Sequence, residues 1–74
     1  MSNLYSLDDE KIIKLCQDLL FDKKDTKILL CLIIEELSIK QIADKLNISE
    51  QTVSHRIRKI KNKLKINNWT DNLL

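Results

Sequence analysis

Apolar residues recur at helical spacing through the second half of the chain, where they form two stripes. The members of the first stripe stand at positions i, i+3, i+4 and i+7: Ile39, Ile42, Ala43 and Leu46. The members of the second stripe follow a similar period: Val53, Ile57, Ile60 and Leu64. This spacing places each set on one face of an amphipathic helix. Residues 37–60 are therefore predicted to contain two helices joined by a tight turn.

Polar residues mark the ends of these two helices. Ser38 stands before the first stripe and Gln41 follows three residues later, which is the pattern of a capping box. Asn47 tolerates the left-handed conformation that ends a helix where glycine is absent. Ser49 is a favourable N-cap for the next helix. The pattern predicts a helix-turn-helix.

The N-terminal residues predict one further amphipathic helix. Ser6 is the expected N-cap, with Asp9 three residues later, and the helix is expected to span residues 7–20. Its apolar positions form a stripe for packing: Ile12, Ile13, Cys16, Leu19 and Leu20.

A central helix is predicted between this helix and the helix-turn-helix. Asp22 is its expected N-cap, with Asp25 at the third helical position, and it is expected to continue over residues 26–37. Residues 28–34 are apolar nearly all round, so a helix there must be surrounded by other elements. A β-strand is the alternative for such a short run, but no partner strand is evident elsewhere. We expect the N-terminal helix on one side and the helix-turn-helix on the other.

The face of the last helix opposite its apolar stripe is polar and basic. Its side chains can all form hydrogen bonds: Gln51, Ser54, His55, Arg58 and Asn62. Residues 51–65 hold six lysine and arginine residues and no acidic residue. Residues 1–36 carry eight acidic and five basic residues, whereas residues 37–74 carry eight basic and three acidic ones. A helix of hydrogen-bond donors with one sign of charge suits the major groove of DNA.

Capping, turn and core positions in this region form a pattern: Leu37, Ser38, Lys40, Ile42, Ala43, Leu46, Ile48, Ser49, Thr52, Val53, Ile60, Lys63 and Leu64. The pattern resembles the helix-turn-helix of the LuxR/GerE regulators and, in the same places, region 4 of bacterial sigma factors. The resemblance is close over residues 37–70 and looser over the preceding helix, and it implies a helical fold that binds DNA. Asn47 and Lys65 depart from residues, often glycine, that close helices in the family. Arg56 stands where the family usually has histidine, with His55 one residue earlier.

Composition agrees with a single helical domain. The chain has 74 residues, of which 43% are hydrophobic, and it contains no glycine and no proline. This composition can fill one small core and argues against tight β-hairpins. We predict an all-α bundle of four to five helices. Its parts are an N-terminal helix in residues 1–21, a tri-helical DNA-binding core in residues 22–66 and a short C-terminal helix or tail in residues 67–74.

Roles on DNA follow from how a helix-turn-helix docks. Its second helix, here residues 50–65, enters the major groove with its N-terminal half at the base edges. The predicted base-reading residues are Gln51, Ser54, His55 and Arg58. The predicted phosphate-contacting residues are Ser38, Lys40, Thr52, Arg56, Lys59 and Lys61. For the lysines from Lys61 onward, a solvated helix face is the alternative.

No pattern in the sequence indicates catalysis. Cys16 and Cys31 lack the spacing of a zinc site and are most simply core residues. His55 is the only histidine, and no nucleophile stands at a spacing that would place it beside this residue. A chain without glycine has no phosphate-binding loop of the nucleotide-enzyme kind. We expect no enzymatic activity, no metal and no cofactor.

The expected partner is double-stranded DNA, bound by a homodimer at a two-fold site. Trp69, Leu73 and Leu74 are a candidate dimer contact, unless they fold back on the core. The chain stops at Leu74, so the family's fourth helix, often its dimer contact, is expected to be truncated.

One alternative function is that of a protein like sigma region 4, which binds RNA polymerase and a promoter. Another is a helical module that antagonises a regulatory protein. No signal sequence or membrane segment is evident, so a cytoplasmic protein of bacterial or phage origin is expected.

Overall fold

Four α-helices make up the part of the chain that the computed structural model describes, residues 6–67 and residue 69. Helix α1 spans Asp9–Asp18, α2 spans Lys23–Ile33, α3 spans Ile39–Leu46 and α4 spans Glu50–Ile66. The predicted all-α fold with a helix-turn-helix, formed by α3 and α4, is confirmed.

The helix-turn-helix begins and ends at the predicted capping residues. Ser38 Oγ accepts the N–H of Gln41 at 3.2 Å, and Gln41 Oε1 accepts the N–H of Ser38 at 2.8 Å. Asn47 ends α3 in the left-handed conformation, with φ 58° and ψ 45°. Ser49 Oγ accepts the N–H of Thr52 at 3.1 Å and so caps α4. These bonds satisfy amides that the first turn of each helix leaves unpaired.

The left-handed conformation of Asn47 leads to a prediction about the stability of the domain. Replacing Asn47 by alanine should lower the free energy of unfolding by about 1 kcal/mol, because a Cβ without a polar group disfavours the left-handed region. Asn47→Gly is the matched control, since glycine adopts this region without steric cost. Urea unfolding followed by circular dichroism measures both variants. Equal midpoints for the alanine and glycine variants would contradict the prediction.

Helix α2 forms the centre of the core. As predicted, Asp22 is its N-cap, and Asp22 Oδ1 accepts the N–H of Asp25 at 2.8 Å. The helix contacts α1, α3 and α4. Its buried residues are Ile28, Leu29, Cys31, Leu32 and Ile33. The predicted stripe of α4 is also buried: Val53, Ile57, Ile60 and Leu64. The expectation that the apolar central helix packs between other helices is confirmed, except that Ile34, just after the helix, is 43% exposed.

Helix α1 begins later than predicted. Its N-cap is Asp8, whose carboxylate accepts the N–H of Lys11 at 2.9 Å. The prediction that Ser6 caps this helix is therefore wrong. Serine and aspartate are about equally good N-caps, so local sequence preference did not decide between two candidates so close together.

Two helices also end earlier than predicted, and each is followed by a non-glycine residue with positive φ. Helix α1 ends at Asp18, and Leu20 has φ 60°. Helix α2 ends at Ile33 rather than Leu37, and Glu36 has φ 53°. A left-handed residue commonly ends a helix. Because the chain contains no glycine, other residue types adopt this conformation, and the usual sequence signal for a helix end is missing.

The buried face of α1 is narrower than predicted. Ile12, Leu15 and Cys16 are buried, whereas Ile13 is 39% exposed and Leu20 is 84% exposed. The prediction that Ile13 and Leu20 belong to the buried stripe is wrong. Leu15 takes part instead, because positions i, i+3 and i+4 from Ile12 share one helix face while Ile13 lies about 100° away.

The last helix ends within one residue of its predicted end at residue 65. Helix α4 ends at Ile66, and the side-chain amide of Asn67 donates to the carbonyl of Lys63 at 2.8 Å. Trp69 is half-buried and packs against the core, and its N–H donates to the carbonyl of Leu64 at 2.9 Å. This packing agrees with the fold-back alternative for Trp69. Its role as a dimer contact stays a prediction, and two further predicted contacts lie outside the described residues: Leu73 and Leu74.

Candidate nucleic-acid interface

Helix α4 presents its polar face outward because its apolar stripe packs against α2 and α3. The four predicted base-reading residues are all exposed: Gln51, Ser54, His55 and Arg58. Within the described part of the chain, none of these side chains has a hydrogen bond or an ion pair. Their donors and acceptors are therefore available to a ligand.

Two open clefts run along the two sides of this face. The first has a volume of about 510 Å³ and separates the start of α4 from the start of α2. It is lined by Asp22, Asp25, Gln51, Thr52, His55, Arg56 and Lys59. The second has a volume of about 380 Å³ and lies between α4 and the start of α3. It is lined by Ile39, Ser54, Ile57, Arg58, Lys61, Asn62 and Lys65. The residues of α4 that are predicted to contact DNA therefore lie along both sides of its exposed face.

Arg56 differs from the other predicted phosphate-contacting residues because its guanidinium is held by two carboxylates. Its Nη1 lies 2.9 Å from Asp25 Oδ1 and 3.3 Å from Asp22 Oδ2. The hydrogen bond to Asp25 is the main cause that raises the pKa of Arg56 above its ordinary value. The pKa of Asp22 is lowered, chiefly by the backbone N–H of Asp25 and further by Arg56. The folded state therefore favours the ionised form of Asp22.

The remaining predicted phosphate-contacting residues lie at helix starts or on the outer face of α4. Ser38 and Lys40, at the start of α3, are exposed, although the Ser38 hydroxyl already accepts the amide of Gln41. Thr52 is half-buried, and its hydroxyl shares a 2.8 Å hydrogen bond with Ser49. Lys59 is exposed and Lys61 is half-buried.

Two basic residues of the second half of the chain make contacts within the domain that sequence reasoning missed. Lys63 Nζ lies 5.4 Å from the centre of the Phe21 ring, which places a cation over an aromatic face. Lys45 pairs with Glu35, so that the C-terminal part of α3 is joined to the residues that follow α2. Neither contact could be found from spacing, because each joins a helix residue to a residue outside that helix. These contacts show that the number of basic residues in the sequence exceeds the number of basic side chains that are free to bind a ligand.

The two cysteines lie in the core of the described residues. Burial raises the pKa of the Cys16 and Cys31 thiols, and both cysteines are buried and unpaired to each other. The described residues contain no group of three or more His, Cys, Asp or Glu side chains that could hold a metal ion. No helix among them is long and apolar enough to cross a membrane.

Comparison with protein families finds a match for the part of the chain that contains α2, α3 and α4. The model of the bacterial regulatory proteins of the LuxR family matches residues 23–73, which is more than half of the chain. Searches of curated proteins and of solved structures gave no significant match. Helix α1 precedes the matched residues and completes their core. The chain therefore belongs to the LuxR family of bacterial regulatory proteins and contains its DNA-binding transcription-regulator domain.

Proposed function

We propose that this protein is a sequence-specific transcriptional regulator that inserts residues 50–65 as a recognition helix into the major groove. The observation that carries the proposal is the outer face of α4. Gln51, Ser54, His55 and Arg58 stand there at positions i, i+3, i+4 and i+7, all exposed and without partners among the described residues. An α-helix fits the major groove, where each base pair presents its own pattern of donors and acceptors.

The chemistry of these side chains suits base edges. The guanidinium of Arg58 can donate two hydrogen bonds to O6 and N7 of a guanine, and the amide of Gln51 can pair with an adenine in a similar two-point manner. Ser54 and His55 each offer a donor and an acceptor. Arg58 is therefore the residue expected to discriminate most strongly between bases.

Phosphate contacts are proposed on the flanks of the same helix and at the start of α3: Ser38, Lys40, Thr52, Lys59 and Lys61. The capping box uses the amides of Ser38 and Gln41, which leaves the other amides of the first turn to face an anion. Such contacts fix the register of the protein on the duplex but carry no sequence information. Arg56 was predicted to be among them, but two carboxylates hold its guanidinium.

Selection of bound duplexes from a random pool, with purified protein at near-physiological salt, tests the proposal. We expect enrichment of one motif, with an affinity that falls steeply as the salt concentration rises. A two-fold symmetric motif would support binding as a homodimer, whereas an asymmetric one would favour a monomer like sigma region 4 that acts with RNA polymerase. A folded protein that enriches no motif would contradict the proposal and favour a helical module that binds another regulatory protein.

A further inference from the structure

The ion-pair cluster of Asp22, Asp25 and Arg56 joins α2 to the recognition helix. The arginine side chain is 29% exposed and the Asp25 side chain is 18% exposed, whereas Lys45 and Glu35 in the other ion pair are 50% and 41% exposed. The Arg56–Asp25 pair is therefore less exposed to solvent than the Lys45–Glu35 pair, whereas the side chain of Asp22 is 60% exposed. Partial burial reduces screening by solvent and salt, so the contact restrains its partners more than a surface pair does.

The cluster also lies next to the proposed base-reading residues. Arg56 directly follows His55, and both line the cleft that contains Gln51 and Asp25. The planar guanidinium has fixed donor directions, and its Nη1 is within hydrogen-bonding distance of both carboxylates. A rotation or sliding of α4 on α2 would lengthen these contacts. The cluster thus opposes the motions that would displace the base-reading face.

We propose that Arg56 is a positioning residue, which holds the recognition helix against Asp22 and Asp25 and so contributes to base discrimination without contacting DNA phosphate. The inference rests on the proposed DNA-binding function. It changes the role that the basic run predicted for Arg56, since a phosphate contact would require the guanidinium to leave two carboxylates that the fold already places beside it.

Replacing Asp25 by asparagine separates the positioning role from simple electrostatics. Removal of a negative charge near DNA should strengthen binding to any duplex, because the phosphates repel that charge. A loss of positioning should instead reduce the ratio of specific to non-specific affinity. We expect this ratio to fall roughly threefold or more, which corresponds to a modest coupling between contacting residues. Asp18→Asn, at the end of α1, is the matched control: it changes the net charge equally and should leave the ratio unchanged.

The measurement is a binding titration of each variant on the selected duplex and on a scrambled duplex over a range of salt concentrations. Arg56→Ala should lower the ratio while keeping the salt dependence of the wild type. Arg56→Lys, which keeps the charge but loses the planar fork, should also lower the ratio. A decrease of about 0.9 in the slope of log affinity against log salt for Arg56→Ala would mean that one phosphate contact is lost, and this result would overturn the proposal. So would an Asp25→Asn protein whose two affinities rise equally.

A double-mutant cycle in urea distinguishes failure of this inference from failure of the proposed function. The unfolding of Asp25→Asn, Arg56→Ala and the double variant should show non-additive effects if the pair restrains α4 on α2. Additive effects would overturn the inference even if the protein reads DNA. A wild-type protein that binds both duplexes equally would contradict the proposed function, and with it the contribution of Arg56 to discrimination, whatever the cycle shows about the pair.

Discussion

Replacing Arg58 by alanine is expected to weaken binding to the preferred DNA site by about 1–3 kcal/mol and to relax selection at one base pair. Arg58 is exposed on the outer face of α4 and lines the cleft beside the start of α3. Its loss would remove the proposed two-point contact to a base edge while leaving the core intact. Titration of the variant on the selected duplex, and on duplexes changed at single positions, measures both effects.

Lys59→Ala is the control for the Arg58 variant because Lys59 is also exposed on α4 but is proposed to contact phosphate. It should weaken binding to all duplexes to a similar degree and reduce the salt slope by about one. If Arg58→Ala behaves in the same way as Lys59→Ala, Arg58 contacts the backbone. If Arg58→Ala binds every duplex as the wild type does, Arg58 takes no part in the interface.

Replacing Ile28 by alanine is expected to lower the free energy of unfolding by about 2–5 kcal/mol. Ile28 is fully buried in α2, which packs against the three other helices. For a domain of 74 residues the whole stability is on the order of 4–11 kcal/mol, so the variant would be close to unfolding. Urea unfolding followed by far-ultraviolet circular dichroism measures the change.

Ile66→Ala is the matched control for this prediction, since the same side chain is removed from a place where it is 81% exposed. Its effect should stay within about 0.5 kcal/mol. Similar decreases in the free energy of unfolding for the two variants would mean that Ile28 is not a core residue on which the stability of the domain depends. DNA binding of Ile28→Ala should fall with the folded fraction, because the proposed base-reading face depends on the packing of α4 against α2.

Periodicity and capping chemistry predicted most of the local structure. The stripe of α4, the capping box of Ser38 and Gln41 and the left-handed Asn47 depend on interactions within a few residues. Helix ends were less predictable where several residues could serve equally well. Leu20 and Glu36 end turns with positive φ, and neither residue type signals that conformation.

The candidate site was predictable only to the level of one helix face. Spacing alone placed Gln51, Ser54, His55 and Arg58 together, because a helix fixes which residues share a side. It could not assign Arg56, whose acidic partners stand 31 and 34 positions away along the chain. The charge of Arg56 was evident from the sequence. Whether its guanidinium is free to bind a phosphate depended on the packing of α2 beside it.

The sequence by itself determined the helical class, the helix-turn-helix and the outward face of α4, since each follows from local hydrogen bonding and from the burial of apolar stripes. The tertiary structure decided which basic side chains remain free for a ligand. Packing α4 on α2 brings Arg56 to Asp25, and packing α3 near the end of α2 brings Lys45 to Glu35. These pairings depend on distances between helices, and such distances are not encoded in the period of any single helix.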